Sequence, residues 1–266
     1  MDPFLLTLLR FTFCAFPAVF FIKKPTGISY SALSLYGLLF GAGLWWVVNF
    51  AMYNGLSAGM SSVFLQFSAF FTIILSGLAL KEHINRAHVT GMLFSAVGLM
   101  MILLLSDRQS TTTGILLVLG AALSWSLCNL MVKIKKPGDM VGFIVWSSLF
   151  SIPAILVLTL LTKGTEPFDH FYEKVTWGAS FSILFQAYVT TILGYGVWNN
   201  LMKKYPAPIV APLSLIVPTS GLLMSFIFFG EALSALQALA LGFVFLGLGI
   251  FITSSKATPP PPASTH

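Results

Sequence analysis

The sequence predicts an all-α fold: a polytopic membrane helix bundle of nine spans, drawn from an inverted five-plus-five repeat that lacks its first helix. Three observations predict it. Of 266 residues, 57% are hydrophobic and only 8% are charged, whereas a soluble domain carries about 25% because its surface must face water. The apolar residues fall in runs long enough to cross a bilayer, whose hydrocarbon core needs roughly 20 residues of helix. The runs of the first half also recur in the second half, with the opposite direction through the membrane.

The spans follow in order. Span 1 covers 4–22 and ends at Lys23 and Lys24. Span 2 covers 30–53, where Gly37 and Gly41 allow close helix approach. Span 3 covers 57–80 with Gln66 near its middle. Span 4 covers 87–105 and follows Glu82, an acid suited to the positive end of a helix dipole. Span 5 covers 113–133 and carries Ser124 and Trp125. Span 6 covers 139–162 and contains Pro153, the counterpart of Pro17; the pair is expected to kink spans 6 and 1 symmetrically. The link 163–176 is the longest and is the one candidate for a turn or short helix outside the membrane. Span 7 covers 177–199 with Gln186, Gly194 and Gly196. Span 8 covers 207–229, where Pro208, Pro212 and Pro218 free backbone carbonyls near Ser214. A cavity lining and a bent packing helix both fit that pattern. Span 9 covers 234–253, follows Glu231, and carries Gly242, Gly247 and Gly249.

Loop charges set the orientation. With the link between spans 1 and 2 inside, the inner side holds ten basic residues: Lys23, Lys24, Lys81, Arg86, Lys133, Lys135, Lys136, Lys203, Lys204 and Lys256. The outer side holds three, Arg108, Lys163 and Lys174. Ten against three over short links is a strong positive-inside bias, with the N-terminus outside and the C-terminus inside.

Sliding the chain by 149 residues sets Ser76 on Ser225, Glu82 on Glu231 and Gly98 on Gly247. A shift of 136 sets Pro17 on Pro153, and one of 145 sets Asn54 on Asn199. Spans 1 to 4 thus match spans 6 to 9, and span 5 has no counterpart. The repeat unit is five helices, so residues 1–105 form a first repeat holding only helices two to five, and 113–254 form a complete second one. An odd number of helices per repeat inverts the second copy. An external N-terminus with no signal to carry it across leads to the expectation that a first helix is missing. The tail 255–266, with the run Pro259 to Pro262, is expected to be disordered.

Composition excludes several classes. The formal charge of +6 comes from 14 Lys and Arg scattered between apolar runs, and nucleic-acid binding needs them gathered on one face. Cys14 and Cys128 lie within apolar runs without His partners at ligand spacing, so they read as lipid- or core-facing, and no metal or cofactor is expected. Span 1 is too long for the apolar core of a signal peptide and has no basic segment before it. An intramembrane enzyme would need an H-E-x-x-H pair, a Ser nucleophile with a base, or paired acids at membrane depth, and the sequence offers none.

Several segments point to a family: Leu9-Arg10-Phe11 with Ala15-Phe16-Pro17-Ala18, Val63-Phe64-Leu65-Gln66 followed by Ala69-Phe70-Phe71-Thr72-Ile73, Ser124-Trp125 with Asn129, Gly194-Tyr195-Gly196-Val197-Trp198, and Val210-Ala211-Pro212-Leu213-Ser214-Leu215 with Val217-Pro218. Together they resemble EamA-type transporters of the drug/metabolite transporter superfamily, and within it the bacterial exporters of O-acetylserine and cysteine. The resemblance runs to about Ser254. It implies ten helices in two inverted repeats, a small-molecule substrate, the lipid bilayer as partner, and a place in the cell inner (plasma) membrane. A homodimer is left open, and the alternatives to an amino-acid exporter are an inactive fragment lacking its first helix and a related transporter of other small organic metabolites.

The candidate substrate-binding residues are Arg10, Trp46, Gln66, Trp125, Gln186 and Ser214. Arg10 is the one charged residue well inside a span, about 9 Å deep at helical rise. Its planar fork suits the carboxylate of an exported amino acid, but a side chain at that depth also reaches the outer headgroups. Gln66, Ser124 and Gln186 lie near mid-membrane and need partners inside the bundle or on a substrate. Trp46 and Trp125 read as interhelical packing or as walls of a substrate path. None of the eight acidic residues lies inside a span, and the four histidines lie outside or near span ends. Facilitated efflux or exchange is therefore the simpler mechanism than a buried proton relay.

Overall fold

The computed structural model describes residues 1–105, 111–169, 171, 175–218, 220 and 234–256. Among the described residues there is no strand, and nine apolar helices make up the bundle. They are α1 Pro3–Ala15, α2 Tyr30–Tyr53, α3 Ala58–Leu80, α4 Arg86–Leu105, α5 Thr112–Lys135, α6 Met140–Lys163, α7 Trp177–Lys204, α8 Ala207–Pro218 and α9 Ala235–Lys256. Six are long and apolar enough to cross a membrane: α2, α3, α5, α6, α7, and α1 together with the turn Ala18–Phe20. The others are shorter apolar stretches within the described residues, Arg86–Ile102, Ala207–Pro218 and Ala235–Phe251. Spans 1 to 9 correspond to α1 to α9. The far part of span 8, including Ser225, lies outside the described residues, as do Glu231, Arg108, Lys174 and the tail from 257 onward.

The helix starts are capped as their sequences dictate, because the first N–H groups of a helix lack internal acceptors. Asp2 accepts from the backbone N–H of Phe4 at 2.8 Å, and Asp139 from that of Gly142 at 3.0 Å. Ser29, Ser57, Thr111 and Thr176 do the same for α2, α3, α5 and α7. Ser234 and Gln237 cap α9 reciprocally, each side chain accepting from the other's backbone N–H.

Four helices depart from regular geometry. Spans 2 and 7 each hold a π-helical stretch, Leu38–Trp46 in α2 and Phe185–Gly194 in α7. α3 is interrupted at Gln66, between Ala58–Leu65 and Phe67–Leu80. α8 runs as Ala207–Val210 and then tightens to a 3-10 segment, Ala211–Leu215, at its prolines. Pro17 and Pro153, expected to kink their spans symmetrically, sit in unlike structures. Pro153 sits inside the continuous α6, whereas α1 stops at Ala15. Proline disfavours helical geometry in the residue before it, and Phe16 is extended with ψ 136°.

The bundle packs helix on helix: α1 along α6, α4 along α9, α3 along α5, and α2 against both α5 and α6. α7 lies against α1, α5 and α6, and α8 against α3 and α9. Small residues permit the closest approaches. Ser151 on α6 donates its hydroxyl to the Gly37 carbonyl of α2 at 2.8 Å. A side chain at Gly98 would run into the backbone of Ala240 on α9, and one at Gly247 into Ser95 and the backbone of Gly91 on α4.

Two sequence expectations are corrected here. Lys133 is no loop charge: it is 7% exposed and pairs with Glu82. Glu82 does not serve the start of α4. Its carboxylate accepts from the backbone N–H of Ala207 and so caps α8 instead. The chain fold decides this, because it brings the α3–α4 link beside the α7–α8 link.

Candidate substrate cavity

A cavity of about 350 Å³ opens among α2, α3, α5, α7 and α8. Small-molecule sites run from about 300 to 1,000 Å³, so this one suits a compact metabolite. α3 supplies Leu65, Gln66 and Ser68, α5 supplies Trp125, and α8 supplies Leu213, Ser214 and Val217. α2 contributes Leu44 and Trp45, while α7 contributes Thr190, Gly194, Tyr195 and Trp198.

Aromatic rings build the wall. Trp125 meets Tyr195 edge-on with centroids 5.1 Å apart and lies 6.3 Å from Trp198. Phe40 closes the rear, 4.7 Å from Tyr195 and 5.7 Å from Trp125. The wall is pinned from behind by Asn129 of α5, which is 1% exposed. Its amide oxygen accepts from the Trp198 indole at 2.9 Å, and its amide nitrogen donates to the Thr72 hydroxyl at 3.1 Å. One buried amide thus joins α3, α5 and α7, as a polar group in an apolar interior requires.

Of the six candidates from sequence, Gln66, Trp125 and Ser214 line the cavity. The Gln66 amide donates to the Ser62 carbonyl at 3.1 Å, at the interruption in α3. Ser214 donates to the Ala211 carbonyl at 3.0 Å. Trp46 points elsewhere, donating to the Thr159 hydroxyl on α6 at 3.2 Å and stacking on Phe50. Gln186 is half-buried and bonds Ser182 one turn earlier on its own helix at 3.0 Å.

Arg10 does not reach outward to headgroups. It is 2% exposed, and its Nε donates to the Thr191 hydroxyl on α7 at 2.7 Å. That hydroxyl in turn donates to the Gln186 carbonyl at 2.7 Å, five residues back along the π stretch. The guanidinium carbon lies 4.3 Å from the ring centre of Trp45, so the indole stands between Arg10 and the cavity. The cysteines are core-facing: both are fully buried, and the Cys14 thiol donates to the Ala187 carbonyl at 3.2 Å.

The candidates from sequence do not include Trp45, Asn129, Tyr195 or Trp198. Tyr195 and Trp198 are three apart and therefore share a helix face with the cavity, a spacing that was legible. Trp45 was not separable from Trp46, because the π stretch that ends at Trp46 shifts the helical phase.

The EamA-like transporter family profile matches residues 1–104 and 112–253. The chain belongs to the EamA-like transporter family. Among its EamA relatives, a protein of Salmonella typhimurium described as "Probable amino-acid metabolite efflux pump" is 34% identical over 259 residues, which cover 95% of this chain and 85% of the relative. One of Escherichia coli with the same description is 33% identical over 263 residues, with the same coverage of each. A solved crystal structure shares the EamA chain's fold with a TM-score of 0.74, covering 96% of this chain and 90% of the other at 17% identity. The multi-pass membrane architecture and the transport family agree.

Proposed function

We propose that this EamA-family protein exports small amino-acid metabolites, cysteine and O-acetylserine among them, by exposing one central cavity alternately to the two sides of the membrane. The observation that carries the reading is the cavity itself, enclosed by helices from both halves of the chain. Its walls combine aromatic surface with a few polar groups, which is how a small zwitterion is held in an apolar medium. Gln66, Ser214 and Trp125 are the groups placed to contact it. Trp46 and Gln186 hold the scaffold around it.

Inverted repeats would supply the rocking motion. Two features support them: α1 lies on α6 and α4 on α9, which are the helices the sequence offsets equate, and α2 and α7 share a π stretch. With Lys133 set aside as buried, nine inner basic residues still face three outer ones, which supports an external N-terminus. The chemistry is binding and release, with no bond made or broken.

The test uses the purified chain in liposomes loaded with labelled cysteine. Release is expected to exceed that of protein-free liposomes and to fall when O-acetylserine competes from the loaded side. Equal release with and without protein would overturn the reading.

A further inference from the structure

Two buried hydrogen-bond donors stand beside the cavity. Nη2 of Arg10 and Nε1 of Trp45 make no hydrogen bond of normal geometry. The Arg10 Nε is already committed to Thr191, whose own proton goes to the Gln186 carbonyl, so the plane of the guanidinium is fixed from the α7 side. Its free edge is left beside the Trp45 ring, 4.3 Å away. The neutral Tyr195 hydroxyl is in polar contact with both groups and supplies no counter-charge to the guanidinium. The ion pairs among the described residues, Lys133 with Glu82 and Lys163 with Glu166, leave Arg10 without a carboxylate.

A buried N–H without an acceptor costs about 1–3 kcal/mol, and an uncompensated charge in a membrane interior costs more. Both donors lie at one place, Trp45 in the wall of the cavity and Arg10 behind its ring. A group that would satisfy both is an anion with two planar oxygens, one to meet the guanidinium edge and the other the indole N–H.

We propose that Arg10 and Trp45 form the carboxylate subsite of the transport cavity, so that the substrates are small molecules with a free carboxylate. This rests on the reading of the cavity as the transport site. The remainder of the substrate then lies against Trp125, Gln66 and Ser214. A substrate lacking the carboxylate leaves the buried charge unpaired, and discrimination by such sites is large. The indole lines the cavity while its N–H is buried, and the subsite requires the ring to turn so that the guanidinium edge meets the ligand.

The experiment compares labelled cysteine with labelled cysteamine, the same molecule without its carboxylate, in liposomes containing the full chain. Wild type is expected to release cysteine at least tenfold faster. Arg10→Gln is expected to collapse the cysteine-to-cysteamine ratio at least tenfold, and Arg10→Lys to recover part of it. Trp45→Phe keeps the ring but loses the N–H, and is expected to raise the KM for cysteine about threefold to tenfold at equal protein in the membrane. Trp45→Phe leaves Arg10 in place, so the proposal stays open to refutation if Arg10→Gln misfolds. Equal release of both compounds by wild type overturns the subsite while leaving the exporter. A proportional loss of both compounds in Arg10→Gln, with Trp45→Phe matching wild type, also overturns it. No release of either compound above protein-free liposomes overturns the exporter reading and the subsite together.

Discussion

The ammonium group of Lys133 lies 2.7 Å from Oε1 of Glu82, in a site where the two side chains are only 6% and 18% exposed. The same ammonium donates to the carbonyls of Tyr205 at 2.7 Å and Met202 at 3.3 Å, where α7 ends. The second carboxylate oxygen accepts from Ala207 N at 2.8 Å, where α8 begins. One ion pair therefore fastens the α3–α4 link, the end of α5 and the α7–α8 corner.

Removing one partner strands the other charge. Lys133→Met is expected to destabilise the protein by about 3–5 kcal/mol, and Glu82→Leu by a similar amount. The double variant should lose less than the two single losses combined, because it leaves no lone charge. Thermal unfolding of the four proteins in detergent measures this. Additive losses would mean that the pair does not act as a unit.

The α4–α9 contact is expected to tolerate no added atoms at its glycines. Gly98→Ala places a methyl against the Ala240 backbone, which has no cheap way to move. The expected loss is about 1–3 kcal/mol, seen as a lower melting temperature. Gly120→Ala and Gly249→Ala meet open space. These should be neutral or slightly stabilising, since alanine is the better helix former. A Gly98→Ala protein as stable as those two controls would contradict the packing described.

Asn129 is expected to act on transport through Trp198. Asn129→Ala removes the acceptor of the Trp198 indole, and Trp198→Phe removes the donor. Each should slow cysteine release severalfold at equal membrane abundance, and the double variant should be little slower than either alone. The stability loss should be small, since single interhelical hydrogen bonds in membranes average about 0.6 kcal/mol. Multiplicative slowing in the double variant would separate the two residues.

The chain's own cysteines are fully buried, so introduced ones can report orientation. Thr165→Cys, in the exposed turn after α6, is expected to react with an impermeant maleimide added outside intact cells. Lys135→Cys, exposed at the end of α5, is expected to react only after the membrane is opened. The reverse pattern would refute both the orientation and the inversion of the repeats.

The apolar runs made the bundle legible, because a lipid-facing helix must be apolar along its length. Gln66, Trp125 and Ser214 were legible as cavity residues, since a polar or indole group at mid-membrane has few other places to go. What the sequence hid was tertiary. The partner of Glu82 lies 51 residues on along the chain and its capped helix starts 125 residues on, distances that no local pattern spans. The end of α1 was open to view in Pro17, but hydropathy alone carried the span to residue 22. Trp45 rather than Trp46 faces the cavity, in the π stretch Leu38–Trp46, whose phase a regular helix does not give.

The π stretches of α2 and α7 have a genealogical consequence. A turn closed by i→i+5 bonds holds one residue more than an α turn in the same place. Deleting a residue from an ordinary membrane helix swings everything beyond it by about 100°, which moves the buried face into lipid. Deleting one from Leu38–Trp46 or Phe185–Gly194 instead lets the helix close as a plain α-helix with both flanks where they were. What is lost is local, such as the carbonyl of Gln186 left open to the Thr191 hydroxyl. At these two stretches descent can add or drop a single residue without rethreading a span.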